Sequence, residues 1–440
     1  MISKFASALK LNENQYAVLN NLLFEPVILS KKEWDDVYSG NLTTFTNSEI
    51  SELYNRGILI DNENQDAEVE KVIKNHVYSM VKQQGISVIY IIPAAACNLA
   101  CKYCIIGDMT EYNPESIIIS EDVIDLIVER YTAYLNSNNI TKAKIIFYGG
   151  EPLIAFDQIK YAVNKFQKRT GITFEFTIVT NATLLNTNMV PFLENNHITL
   201  GISIDGPQKT NDANRKFKTD TASVYDSVYN AICLLKTSKI KFGLSITLTN
   251  EIMDDADFFN WVINLGVKNI TYNLMHHTRD GAEWITYYQN ASKFLIKSHE
   301  NLQKHDIMDG RIMRKYDAFY NQHFKYSDCA AVGGNQLSFM PNGDITVCHG
   351  CWTLKNHVCG NVHTNSIEDI METDAFRWWE NRLTVNCDAC LRCPALRICG
   401  GGCPIQSEHL FKNRDSIDYG YCMHTLQFLT HLLSNLDQVS

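Results

Sequence analysis

The placement of the cysteines constrains this chain more than any other feature. Of 14 cysteines in 440 residues, three stand at Cys97, Cys101 and Cys104, one at Cys233, and ten crowd between Cys329 and Cys422. The opening Met1-Ile2-Ser3-Lys4-Phe5 runs into Asn12-Glu13-Asn14 without an apolar signal region, and no uncharged run reaches membrane-spanning length. The expectation is therefore a cytoplasmic protein with no membrane partner, in a compartment where thiols stay reduced unless a metal holds them. Two separated groups of thiols at set spacings then call for two metal-bearing regions in one fold.

Composition narrows the class further. Hydrophobic residues at 45%, charged residues at 20% and a mean hydropathy of -0.18 are those of a globular chain, long enough for two or three domains. Lys plus Arg number 39 against 49 Asp plus Glu, a formal charge of -10, which argues against nucleic acid as the main partner.

From residue 86 to about 275, β-rich apolar runs alternate with helical patterns. Candidate strands are 86–92, 144–148, 174–179, 198–204, 242–247 and 269–274. Between them lie stretches of period 3.6, such as 120–135, where Val123, Ile124, Ile127, Val128 and Tyr131 share a face behind a Ser120 cap. The stretch 222–235 behaves likewise, and its pattern places Cys233 on the apolar face as a packed thiol.

Six β-then-α units with short connections predict an α/β fold of parallel strands, curled into a complete or partial (β/α)6 TIM-type barrel with its chemistry at the strand C-terminal ends. Residues 85–300 are expected to form this barrel and 301–440 a cysteine-rich C-terminal domain. Residues 1–84 read as a small α+β module: strands near 16–19 and 26–29, helices over 31–38 and 47–55, and a Gly57 break before Ile58-Leu59-Ile60. An acidic, Asn-rich stretch at 61–70 and a helix near 72–83 serve as the connector.

Cys97-x3-Cys101-x2-Cys104 falls in the loop after the first strand. Three thiolates leave a four-iron cubane with one iron open to a small molecule. A structural zinc site is the alternative, but it needs four closed ligands and no nearby His or Cys completes the loop.

With Tyr103 before its last cysteine, this loop resembles the signature of the radical S-adenosylmethionine (SAM) superfamily. Three further segments match that family in order. Gly149-Gly150-Glu151-Pro152, after Tyr148, is similar to the family's glycine-glycine-glutamate motif, where bare backbone and a carboxylate receive the SAM amino group. Thr180-Asn181 after the third strand, Ser203-Ile204-Asp205 after the fourth, and Arg215 resemble positions that hold the SAM ribose and carboxylate. Alone, a Gly-Gly-Glu is an ordinary turn and Ser-x-Asp-Gly an ordinary helix cap; their succession at strand ends gives them weight. The resemblance implies a 4Fe-4S cluster on Cys97, Cys101 and Cys104 that reduces the SAM sulfonium, yielding methionine and a 5'-deoxyadenosyl radical that takes hydrogen from a substrate carbon. His276 and His277, just after the sixth strand, are further candidates to face a substrate.

The C-terminal spacing is Cys329-x13-Gly343-x4-Cys348, then Cys390-x2-Cys393-x5-Cys399-x3-Cys403, then Cys422. It resembles the SPASM extension of radical SAM enzymes, including the Pro341-Asn342-Gly343-Asp344 turn and Cys399-Gly400-Gly401-Gly402-Cys403; a pair of zinc ribbons is the alternative. The resemblance implies two auxiliary 4Fe-4S clusters. Cys329, Cys348 and Cys403 would hold the first, and Cys390, Cys393, Cys399 and Cys422 the second. The first then lacks a fourth ligand, for which Cys351, Cys359, Cys387 or His323 are candidates beside an open iron.

SPASM enzymes mostly modify peptides or proteins, so the resemblance implies an enzyme acting on a ribosomally made precursor peptide (RiPP maturation), forming a thioether, carbon-carbon or carbon-oxygen cross-link or an epimer. The alternative is an anaerobic sulfatase maturase, which carries Asp where this chain has His349 and generally begins near the first cysteine loop. The leading module 1–84 fits leader-peptide recognition by strand addition. A reductant such as flavodoxin or ferredoxin is an implied partner. An electron carrier without catalysis would have no use for the SAM-binding set.

Overall fold

The computed structural model describes residues 1–104, 118–219, 221–276, 283–351 and 354–435. Its N-terminal unit is a three-stranded antiparallel sheet of β1 (Ala6–Lys10), β2 (Gln15–Asn20) and β3 (Val27–Ser30), with β2 in the middle. Successive side chains of β2 point to opposite faces, and both faces are covered. Val18 joins Leu29, Val37, Leu53, Ile58 and Leu59 in a small core of the unit's own, whereas Ala17 and Leu19 join the main core with Phe5, Leu22 and Phe24. The sequence pattern missed β1, whose five residues alternate weakly and are only half-buried.

Helices α1 (Lys31–Ser39) and α2 (Asn47–Asn55) each begin with a reciprocal capping box, Ser30 with Glu33 and Thr46 with Glu49. The expected acidic connector is instead the first half of a single 22-residue helix, α3 (Glu63–Gln84). Its Asp66 is buried and accepts from Ser3 Oγ at 2.6 Å and Lys4 N at 2.8 Å, so a residue read as linker charge anchors the helix to the chain start.

The main sheet has ten strands. Six of them, β4 (Val88–Ala94), β5 (Lys142–Gly149), β6 (Thr173–Thr180), β7 (Thr199–Ser203), β8 (Phe242–Leu248) and β9 (Asn269–Leu274), are parallel neighbours in chain order, as the alternation predicts. Helices α4 (Glu121–Ser137) and α5 (Phe156–Gln167) follow β4 and β5, α6 (Val190–Asn195) follows β6, and α7 (Gln208–Asn214) and α8 (Val224–Lys236) follow β7. Ser120 caps α4, accepting from Val123 N at 3.3 Å. The short β10 (Met308–Asp309) extends the sheet beyond β9, so the parallel array runs past residue 300, which itself lies inside the helix Trp284–Leu302.

At the other edge the sheet does not close. β11 (Gln336–Phe339) pairs in parallel with β4, and β12 (Asp344–Thr346) and β13 (Val358–Asn361) continue antiparallel beyond it. The C-terminal third is thus hydrogen-bonded into the barrel sheet. Asn335, just before β11, donates to Val81 O and Gly85 O, both at 2.9 Å, pinning the end of α3 to the same seam. No helix among the described residues is long and apolar enough to cross a membrane.

Candidate active site

Of the sequence-predicted SAM-binding set, Gly149 to Pro152, Thr180, Asn181, Ser203 and Asp205 stand at or just beyond the C-terminal ends of β5, β6 and β7, while Tyr103 lies in the loop after β4 and Arg215 directly follows α7. The cysteine loop after β4 is held as a ribbon against the segment after α7. Ala100 N donates to Lys216 O at 2.8 Å, Lys102 N to Asn214 O at 3.0 Å, and Lys218 N to Asn98 O at 3.1 Å. Within the loop Leu99 N–H points at Cys97 Sγ, 3.4 Å away, and Asn181 Nδ2 reaches the same sulfur at 3.9 Å. Burial, with repulsion among the three sulfurs, pushes the Cys101 thiol up to about 11 and raises that of Cys97. Such thiols stay protonated at neutral pH and become thiolates when a metal displaces the proton.

The end of β5 is pressed onto this loop. Gly150 N donates to Ala94 O at 3.1 Å and Glu151 N to Ala96 O at 2.8 Å, and a Cβ at Gly150 would lie 2.2 Å from Ala96 O. Only glycine allows that approach. The Glu151 carboxylate is fully buried and accepts from Thr180 Oγ1 at 2.5 Å, Asn181 N at 2.8 Å and Leu153 N at 2.9 Å. It ties the end of β5 to the end of β6, and burial raises its pKa. Pro152 starts the short turn that follows.

Asp205, two residues beyond Ser203 at the end of β7, forms a buried ion pair with Arg215, whose Nε and Nη2 meet the two carboxylate oxygens at 2.8 and 3.1 Å. Thr247 N also donates to Asp205 at 3.0 Å, and Tyr103 donates its hydroxyl to the same carboxylate with the Arg215 guanidinium over its ring. Asp205 and Arg215 therefore satisfy each other and orient Tyr103 beside the cysteines. The sequence reading missed Asn98, which accepts from Asn181 Nδ2 at 2.9 Å and donates to Thr183 Oγ1 at 2.8 Å. Its position between paired cysteine-loop residues was the only signal.

The C-terminal thiols fall into two further groups. Cys348 lies close enough to raise the pKa of Cys329, and both raise that of Cys403; in the other group Cys387, Cys399 and Cys422 raise that of Cys390, and Cys399 raises those of Cys393 and Cys422. Cys387 is thus placed with the second of these groups, where its neighbour Cys390 lowers its pKa. His323 is exposed and paired with Asp317 at 3.1 Å. Among the described residues no three His, Cys, Asp or Glu side chains close around a single-ion site. Three groups of thiols, the first on one loop and the other two drawing sulfurs from separate segments, suit clusters in which each thiolate takes its own iron.

Between the Cys97–Cys104 loop and the group of Cys329, Cys348 and Cys403 stands an aromatic stack. The His349 ring lies on Tyr90 of β4, centroids 4.1 Å apart and 16° from parallel, and meets Tyr148 of β5 edge-on at 4.7 Å. Burial holds its pKa down to about 4, so the imidazole is neutral, and its Nδ1 has no hydrogen-bond partner among the described residues. Neither tyrosine was singled out from sequence, because aromatic residues in strands are ordinary core. His276 Nε2 stands 3.8 Å from Cys403 Sγ, so it faces the first C-terminal thiol group; His277 lies outside the described residues. Cys233 corrects an expectation: it is exposed, because Val228, Ala231, Ile232 and Leu235 form the buried face of α8 and position 233 turns away from it.

Comparison with known proteins agrees with this geometry. The family model of the radical SAM superfamily matches residues 91–262, and that of an iron-sulfur cluster-binding domain, SPASM, matches residues 329–394. The radical SAM cyclopropyl synthase TigE of Paramaledivibacter caminithermalis is 20% identical over 96% of this chain and 93% of its own length. A cysteine-type anaerobic sulfatase-maturating enzyme of Clostridium perfringens is 22% identical over 79% of this chain and 96% of its own. The fold of Streptococcus suis SuiB, solved bound to precursor peptide SuiA, covers 96% of this chain and 99% of that one with a TM-score of 0.54 at 16% identity. The cysteine loop, the strand-end set and the C-terminal thiol groups therefore have one common explanation: the chain carries a radical SAM domain and, after it, a SPASM iron-sulfur cluster-binding domain.

Proposed function

We propose that this enzyme is a peptide maturase that takes hydrogen from a ribosomally made precursor peptide and forms a side-chain cross-link. The observation that carries the reading is the N-terminal unit. Coverage of 96% by both TigE and peptide-bound SuiB leaves no room for that whole unit to lie outside either match, while the sulfatase-maturating relative covers 79%. Strand β3 is a sheet edge with Ile28 exposed, a surface to which a leader can add a strand. Residues 1–84 are the proposed recognition module.

Cys97, Cys101 and Cys104 are the proposed ligands of the radical SAM cluster, which when bound supplies one electron to the SAM sulfonium and so the 5'-deoxyadenosyl radical. Gly149 and Gly150 leave backbone bare beside the loop, and Glu151, Thr180 and Asn181 hold its floor. Ser203, Asp205 and Arg215 close the β7 side, with the Asp205–Arg215 pair fixing Tyr103 against the thiols. The neutral His349, stacked on Tyr90 and against Tyr148, offers a ring nitrogen, unpaired among the described residues, near the cysteine loop and Cys348 for a polar contact with the substrate. A small reducing protein, flavodoxin or ferredoxin, supplies the electron.

The test is to incubate anaerobically reconstituted, reduced enzyme with SAM and a short peptide encoded beside its gene, then measure the peptide mass. Loss of two hydrogens with 5'-deoxyadenosine formed is the expected result, and Ile28→Glu is expected to weaken peptide affinity while leaving uncoupled SAM cleavage unchanged. Conversion of a sulfatase-derived peptide to formylglycine, with the neighbouring peptide untouched, would replace this reading with the sulfatase one, which the match over 96% of the Clostridium enzyme supports.

A further inference from the structure

We propose that Cys351 is the fourth ligand of the first auxiliary cluster, so that this cluster is closed and exchanges electrons without binding the substrate. The inference rests on the reading that Cys329, Cys348 and Cys403 hold a four-iron cluster, which leaves one iron without a protein ligand.

The turn Cys348-His349-Gly350-Cys351 is built like a metal-binding loop. Gly350 N–H points at Cys348 Sγ from 3.3 Å, the same i to i+2 contact that Leu99 N–H makes to Cys97 Sγ in the first cysteine loop. Cys351 N closes the turn onto Cys348 O at 3.2 Å, which swings the Cys351 side chain back toward its partner. The Cys351 thiol is fully buried and donates to Cys348 O at 3.1 Å, with the sulfurs of Cys348 and Cys359 near enough to raise its pKa.

The other candidates are engaged elsewhere. Cys359 donates to His357 O at 3.6 Å, Cys387 lies with the Cys390 group, and His323 is at the surface with Asp317. His276 approaches Cys403 and is the competing ligand that a test must separate.

On cluster assembly the Cys351 S–H proton passes to solvent and an S–Fe bond forms, with no change in oxidation state. A closed cluster leaves no iron for a peptide thiolate or carboxylate, so the electron released by a substrate radical must reach it through space.

The experiment uses full-length enzyme in which Cys97, Cys101 and Cys104 are changed to Ala, leaving only auxiliary iron. Reduced samples are read by electron-nuclear double resonance with carbon-labelled cyanide, which couples only to an open iron. The expected result is no cyanide coupling in this background, and a clear coupling once Cys351→Ala is added. Cys351→Ser, which keeps the side-chain volume, is expected to hold the cluster with a shifted signal, and Cys359→Ala to change nothing. Cyanide coupling with Cys351 intact, or a nitrogen coupling that His276→Ala abolishes, overturns the proposal. Absence of auxiliary iron from the starting protein would instead refute the underlying two-cluster reading, a result that iron analysis distinguishes.

Discussion

In the barrel, the cysteine loop, Glu151, Asn181 and Asp205 follow parallel strands of five to eight residues whose register is set by the sheet. In the C-terminal third, Cys390 and Cys399 each sit in a helix of four residues, and Cys403 follows three consecutive glycines with positive φ. At Gly400 a Cβ would come within 2.4 Å of Asp328 N, so the turn is held by close backbone approach and not by a regular element. Helices this short do not stand alone in water. The difference teaches that the first site is carried by the fold, whereas the second region is built to be completed by what it binds.

The sharpest way to break this comparison is to remove the first site. Changing Cys97, Cys101 and Cys104 to Ala together is expected to cut 5'-deoxyadenosine formation to that of a control without enzyme, while far-ultraviolet circular dichroism stays the same. A concurrent loss of fold would show that the barrel also depends on its metal.

Stripping iron with a chelator should act unevenly. Amide hydrogen exchange is expected to accelerate on the order of tenfold or more across 388–403, where metal coordination contributes folding energy, and little in β4 to β9. Uniform acceleration would erase the distinction.

Within the barrel, Asp205→Asn leaves the Arg215 charge buried without its partner, and the expected loss of stability is about 3–5 kcal/mol by denaturant titration. It should also weaken SAM cleavage, since Tyr103 loses its orienting carboxylate.

The smallest effect concerns the seam between the two regions. Asp309 ends β10 and caps the helix Gly310–Tyr320, and burial raises its carboxyl pKa from 3.8 to about 6. The unfolded chain loses that proton first, so this group's stabilising contribution is full below pH 3.8 and falls as the pH rises through about 6. Asp309→Asn keeps the cap acceptor and is expected to remove that decline, gaining at most about 3 kcal/mol over the parent near pH 7. Equal pH profiles for the two proteins would exclude this account.

The alternation of 86–275 and the position of each motif after a strand were legible because period-two and period-3.6 patterns are local and the motifs are contiguous. The spacing of Cys97, Cys101 and Cys104 was legible for the same reason. Much of the rest was not. Asp66 reads as linker charge until Ser3 and Lys4 fold over it, and Cys233 reads as core because an apolar neighbour hides a residue turned to the opposite face.

Sequence alone determined the six-unit parallel array, its strand-end chemistry and the two thiol regions, since these rest on local periodicity and covalent spacing. Only the tertiary structure decided that β11 extends the barrel sheet beside β4, that Cys387 joins the second thiol group, and that His349 stacks between Tyr90 and Tyr148. These contacts join residues far apart in the chain, where no spacing records which segments burial and hydrogen bonding will bring together.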